Sequence, residues 1–139
     1  IHRYAGKISW PLLDRIDIKI EVPAMDFDAL ETAPKGESSA DIKVRVNAAR
    51  AVQNRRYGEE KGLYFNAQLS PRHIEKYCEL GMPEKQLMEK IYKKMNLSAR
   101  GYHRILKLAR TIADLEGAVE IKAAHLSEAV QYRSFSPEG

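Results

Sequence analysis

One short stretch constrains the fold more than any other. Residues 16–22 (IDIKIEV) alternate apolar and polar side chains with period two, are rich in β-branched residues and stop at Pro23. That is the pattern of a half-buried strand. No other segment of the 139 residues carries it convincingly. A lone strand cannot satisfy its own N–H and C=O groups, so it must pair with something. We expect it to complete a sheet whose other strands precede Ile1, and to stand as an exposed edge in the isolated chain. The first residue, Ile1, is read accordingly as a cut from a longer polypeptide.

After this stretch the signals turn helical. Residues 23–37 (PAMDFDALETAPKGE) read as a connector with at most one helical turn. Ser38 followed by Asp41 resembles an N-terminal cap, and Ile42, Val46, Ala49 and Val52 then recur at helical spacing to about Asn54. Residues 55–70 hold two glycines and read as a loop with a small packed turn. Pro71 opens a short helix to about Cys78, and Pro83 opens another with Leu87, Met88, Ile91, Tyr92 and Met95 on its apolar face. The best-defined helix follows Ser98. Tyr102, Ile105, Leu106, Ala109, Ile112 and Ala113 form its apolar stripe, with Arg100, His103, Arg104, Lys107, Thr111 and Asp114 opposite and Gly117 as its stop. A last helix is expected over 123–132. The fold class is therefore mainly α, one strand followed by a helical bundle, divided into 1–37 and 38–139.

Composition narrows the function classes. A chain with 44% hydrophobic and 30% charged residues is globular rather than disordered. No apolar run approaches the roughly 18–20 residues that span a bilayer, and the opening residues lack the apolar core and cleavage site of a signal peptide. A single cysteine, Cys78, excludes an intramolecular disulfide and a CxxC metal site; it reads as a half-buried structural thiol. These features fit a reducing cytoplasm. The net charge of +4 permits a nucleic-acid partner without demanding one.

The chain contains no GxxxxGK[ST] loop, no apolar strand ending in paired acids, no HExxH and no nucleophile–base pair at a recognisable spacing. Two arginines stand out instead. Arg15 lies on the turn entering the expected strand, where a guanidinium can be aimed outward at a phosphate. Arg100 lies two residues after the cap Ser98, where its charge opposes the positive helix N-terminus unless an anion compensates. Residue by residue, the simpler reading of each is a solvated surface arginine, Arg15 paired with Asp14 or Asp17.

Residues 8–17 (ISWPLLDRID), 97–115 (LSARGYHRILKLARTIADL) and 123–133 (AAHLSEAVQYR) resemble, in order, three segments of the ComM/YifB branch of the magnesium-chelatase-like AAA+ ATPases. The resemblance implies that residues 1–37 end an α/β ATPase core and that 38–139 form its helical lid. It implies that Arg15 is the arginine finger reaching ATP on a neighbouring subunit, and that Arg100 is the sensor-2 arginine on the γ-phosphate. It also implies a ring, expected to be a hexamer, with ATP and Mg²⁺ bound through motifs upstream of Ile1, and motion spent on DNA. The fragment by itself is expected to hold neither cofactor. Trp10 departs from the family, which has a small residue there, and bears on the aim of Arg15.

Further cations read as a solvated basic face or, alternatively, as contacts for phosphate or DNA. Arg45, Arg55 and Arg56, with Arg50, lie along and just past the 38–54 helix, and Arg104 and Lys107 share a face with Arg100. Tyr57, Tyr64 and Phe65 near them form either a base-stacking patch or anchors for a loop. His73, His103 and His125 are too scattered for a metal triad and read as hydrogen-bonded surface or helix histidines. Two other readings stay open: a chelatase-type motor acting on a partner protein, and a free-standing helical binding module.

Overall fold

The computed structural model describes residues 10–13, 15–27, 32 and 36–133. A single turn, α1 (Trp10–Leu13), is followed by α2 (Ser39–Tyr57), a 3₁₀ turn (Asn66–Gln68), α3 (Pro71–Tyr77), α4 (Met82–Lys94), α5 (Ala99–Glu116) and α6 (Ala123–Gln131). The mainly α expectation holds. Helix α5 is central, packing against α6, α2, the 3₁₀ turn and α3, while α4 closes on α6.

Local chemistry sets the helix ends. Ser38 Oγ accepts the Asp41 N–H at 3.1 Å, and Ser70 Oγ accepts the His73 N–H at 3.4 Å just before Pro71. Gly117 ends α5 at φ 78°, a left-handed conformation that glycine adopts without a Cβ penalty, and the Ala118 N–H turns back to the Ala113 carbonyl at 2.8 Å. Asn96, φ 46°, takes the same role after α4.

The core is one cluster built on Ile105, Leu106 and Ala109 of α5, with Leu126 and Ala129 of α6, Met88, Ile74, Tyr57 and the loop residues Leu63, Leu69 and Ile121. Leu80 and Ile121 form an isolated parallel bridge that brings the two loops flanking α4 and α6 together. Cys78 lies fully inside this core rather than half-buried, and burial pushes its thiol up to about 11. At pH 8 the folded protein is therefore expected to leave a thiol reagent such as dithionitrobenzoate almost unreacted, with stoichiometric release only after denaturant is added. Rapid labelling without denaturant would contradict this packing.

Three expectations need correction. Residues 16–22 have no strand structure: Ile20 is 67% and Val22 78% exposed, and the backbone bond recorded there is Lys19 N–H to the Tyr132 carbonyl at 3.0 Å. The physical reason is the one the pattern itself raises, that no partner strand stands beside it among the described residues. The stripe of α2 is also different. Ile42 and Val46 are exposed, and the fully buried residues of the helix are Ala49, Gln53 and Tyr57, the helix running three residues past Asn54 to seat Tyr57 in the core. Finally, Asp114 is buried rather than on the exposed face of α5. His125 is a hydrogen-bonded helix histidine, as expected, and it is buried. The His125 ring accepts the Lys122 N–H at 2.9 Å and meets the Glu116 carboxylate on its other nitrogen.

Candidate functional site

The N-terminus of α5 faces a cleft. Ser98 Oγ accepts the Gly101 N–H at 3.0 Å, so one of the helix's free N–H groups is satisfied and the first turn is fixed. Arg100 sits in that turn, exposed, with no ion pair recorded for it among the described residues. Its charge thus works against the helix dipole without an internal anion to offset it, a cost of a few tenths of a kcal/mol. Met95, Asn96, Leu97, Ser98 and Gly101 form one wall of the cleft, and Pro11 and Lys19 face them.

The segment carrying Arg15 is tied to the bundle at two points, one on this helix and one at the end of α6. Arg15 N–H closes a turn on the Leu12 carbonyl at 3.0 Å, leaving its side chain exposed. Two residues on, Asp17 pairs with Arg104 of α5 at 3.2 Å, and Lys19 N–H bonds the end of α6 through Tyr132. Arg15 and Arg100 therefore belong to two segments joined by the Asp17–Arg104 ion pair. Asp14 and the side chain of Trp10, on which the aim of Arg15 was expected to depend, lie outside the described residues.

The remaining cations sort by their partners. Arg56 is engaged inside the protein rather than on a solvated basic face. Its guanidinium donates to both oxygens of Asp114, one at 2.9 Å, and to Asn66 at 3.4 Å. Burial is the largest single influence and works against that charge, but the hydrogen bonds and charges of Asp114 and Tyr57 together outweigh it and hold the guanidinium above its ordinary range. Arg110 donates to Asp114, four residues on, at 3.1 Å and to the carbonyls of Val119 and Ala118 at 2.9 and 2.7 Å, so this one-turn ion pair is buried. Arg45 pairs with Glu37, and Lys107 donates to the Ala67 carbonyl at 3.1 Å. Arg55 is exposed with no ion pair recorded among the described residues.

Sequence reasoning missed the buried network around Asn66. Asn66 accepts the Tyr57 hydroxyl at 2.7 Å, donates its amide to Thr111 and Asp114 at 2.9 Å each, and bonds Gln53 through its N–H at 3.1 Å. An asparagine in a glycine-containing loop carries no signal of this kind. Tyr57 is thus an anchor in the core, edge-on to Tyr77. No group of three or more potential metal ligands occurs among the described residues, and no described helix is long and apolar enough to cross a membrane.

A helical bundle of this order matches the family model for the C-terminal part of magnesium chelatase subunit ChlI over residues 36–133, and residues 1–30 match the model for magnesium chelatase subunit ChlI. The chain belongs to the magnesium-chelatase-like family, of the ComM/YifB type. It is 42% identical over 135 residues to competence protein ComM of Haemophilus influenzae, covering 96% of this chain. It is 44% identical over 133 residues to the uncharacterized protein YifB of Salmonella typhimurium, and 39% identical to that of Escherichia coli, each over 95% of this chain. The chain spans about a quarter of these relatives, 26% of ComM and 25% of each YifB protein.

Proposed function

We propose that the chain is the lid-bearing end of a ring-forming AAA+ ATPase, cytoplasmic and expected to be hexameric, whose motion remodels DNA by unwinding or branch migration during DNA uptake and recombination. In this reading residues 1–37 close the ATPase core and 38–139 form the lid. Arg100 contacts the phosphates of ATP held by its own subunit, and Arg15 reaches ATP on the neighbouring one. The observation that carries the reading is Arg100 itself: an exposed cation in the first turn of an 18-residue helix, between Ser98 and Gly101 that line a cleft, with no ion pair among the described residues. A phosphate group would supply the missing anion, and its oxygens match the forked donors of a guanidinium.

ATP is substrate here, and Mg²⁺ would come with it. The residues that cradle both are expected in the larger part of the relatives that this chain does not span. A tethered pair of arginine-bearing segments also suggests how hydrolysis moves the lid. Losing the phosphate at Arg100 changes the contacts of α5, and the buried Arg56–Asp114–Arg110 network carries that change to α2 as a rigid unit.

The family's description favours a second reading, a motor of the magnesium-chelatase type acting on a partner protein. ATPase assays of the longer protein, with and without single-stranded and branched DNA, separate the two. DNA should raise the rate several-fold, and Arg100→Ala should lower it with or without DNA. A rate indifferent to DNA would reject the DNA motor, and an unchanged rate in Arg100→Ala would reject the phosphate role.

A further inference from the structure

Helix α2 carries five basic residues against one acid, Asp41, and so holds an excess equal to the net charge of the whole chain. Two of its cations are neutralised internally, Arg45 by Glu37 and Arg56 by Asp114. Lys43 and Arg50 are not: both are exposed and neither has an ion pair among the described residues. With Asn47 and Asn54 they fall at i, i+4, i+7 and i+11, one face of the helix with no carboxylate on it.

Beside this face the protein exposes an aromatic ring on a rigid support. Phe65 is 37% exposed, with the Arg50 guanidinium 5.5 Å from its ring centre. The ring lines a shallow groove with Val46, Ala49 and Leu115. Its turn does not depend on the ring for its shape. Gln68 accepts the N–H groups of Tyr64 and Phe65, and Asn66 is locked into the buried network through Gln53, Tyr57, Thr111 and Asp114. An apolar ring held in solvent by a turn that is fixed without it has a ligand to gain.

We propose that the groove between α2 and the 3₁₀ turn seats an unpaired base of single-stranded nucleic acid on Phe65 and Arg50, with Lys43 and Arg50 on the adjoining phosphates. Aromatic rings and planar guanidinium groups are the surfaces on which unpaired bases stack, and a carboxylate-free cationic face suits the polyanionic backbone. An acidic protein segment would satisfy the charges but has no use for the exposed ring. The proposal deepens the DNA reading above and rests on it for the identity of the polymer.

The test is fluorescence anisotropy of a labelled oligothymidylate with this chain, in parallel with heparin and an oligonucleotide lacking bases. Phe65→Ala should weaken oligothymidylate binding about tenfold or more and leave heparin binding unchanged, while Phe65→Trp retains affinity. Arg50→Ala should weaken both and lower the salt dependence. Equal binding of oligothymidylate by wild type and Phe65→Ala would overturn the proposal, as would equal wild-type affinity for the base-free polymer. Circular dichroism of each variant guards against misfolding, and Phe65→Trp keeps the test decisive if Phe65→Ala does not fold. The outcome is separable from that of the ATPase reading, because binding by this chain requires neither ATP nor Arg15.

Discussion

Asp114→Ala is expected to destabilise the protein by about 3–5 kcal/mol, the range for breaking a buried ion pair by removing one partner. The carboxylate takes four donors: two from Arg56, one from Asn66 and one from Arg110. Arg110 is 3% exposed, so without Asp114 its charge would be left in the core with only two backbone carbonyls to stabilise it. Because Asp114 joins α5 to α2 and to the 3₁₀ turn, the loss would also loosen the seat of Tyr57. A guanidinium denaturation curve followed by circular dichroism measures the effect. Glu120→Ala is the control, since it removes an exposed, solvent-screened pair with Lys122 and should leave the midpoint almost unmoved. If the two variants shifted the midpoint equally, the network would not be the clamp described here.

Arg15→Ala in the longer protein is expected to lower the rate of ATP hydrolysis about 10³-fold, equivalent to about 4 kcal/mol of transition-state stabilisation. The reasoning is electrostatic: a guanidinium supplied to the transferring phosphoryl group stabilises charge that spreads there in the transition state. Arg15→Lys should not restore the rate, because an ammonium lacks the planar fork. A finger acting across subunits makes a further demand. Mixing Arg15→Ala subunits with subunits unable to bind their own ATP should recover activity, since each kind supplies what the other lacks. An Arg15→Ala protein that hydrolyses ATP at the normal rate would end this reading of the residue.

Different parts of the molecule were readable from the chain for different reasons. Helix starts at Ser38, Ser70 and Ser98 and the stop at Gly117 follow from hydrogen bonds and backbone conformations made within a few residues, so local sequence states them. The stripe of α5 was equally plain, because one helix face meeting a core on every turn leaves a period of 3.6. Arg15 and Arg100 were conspicuous for their position relative to an element boundary, and their exposure agrees with that reading without testing it.

What the pattern could not state were matters of long-range pairing. Residues 16–22 have the alternation of a strand, yet a strand exists only where a neighbour accepts its hydrogen bonds, and none stands beside it among the described residues. Ile42 and Val46 have helical spacing, but spacing does not say whether a second surface reaches that far along α2. Arg56 and Asp114 read as solvated charges because their partners lie 58 residues apart. Burial of a charge depends on where its counter-charge arrives in space. Local rules therefore gave the helices and their ends, and tertiary packing assigned the cations, making Arg56 and Arg110 structural and leaving Lys43, Arg50 and Arg100 facing solvent or half-open grooves.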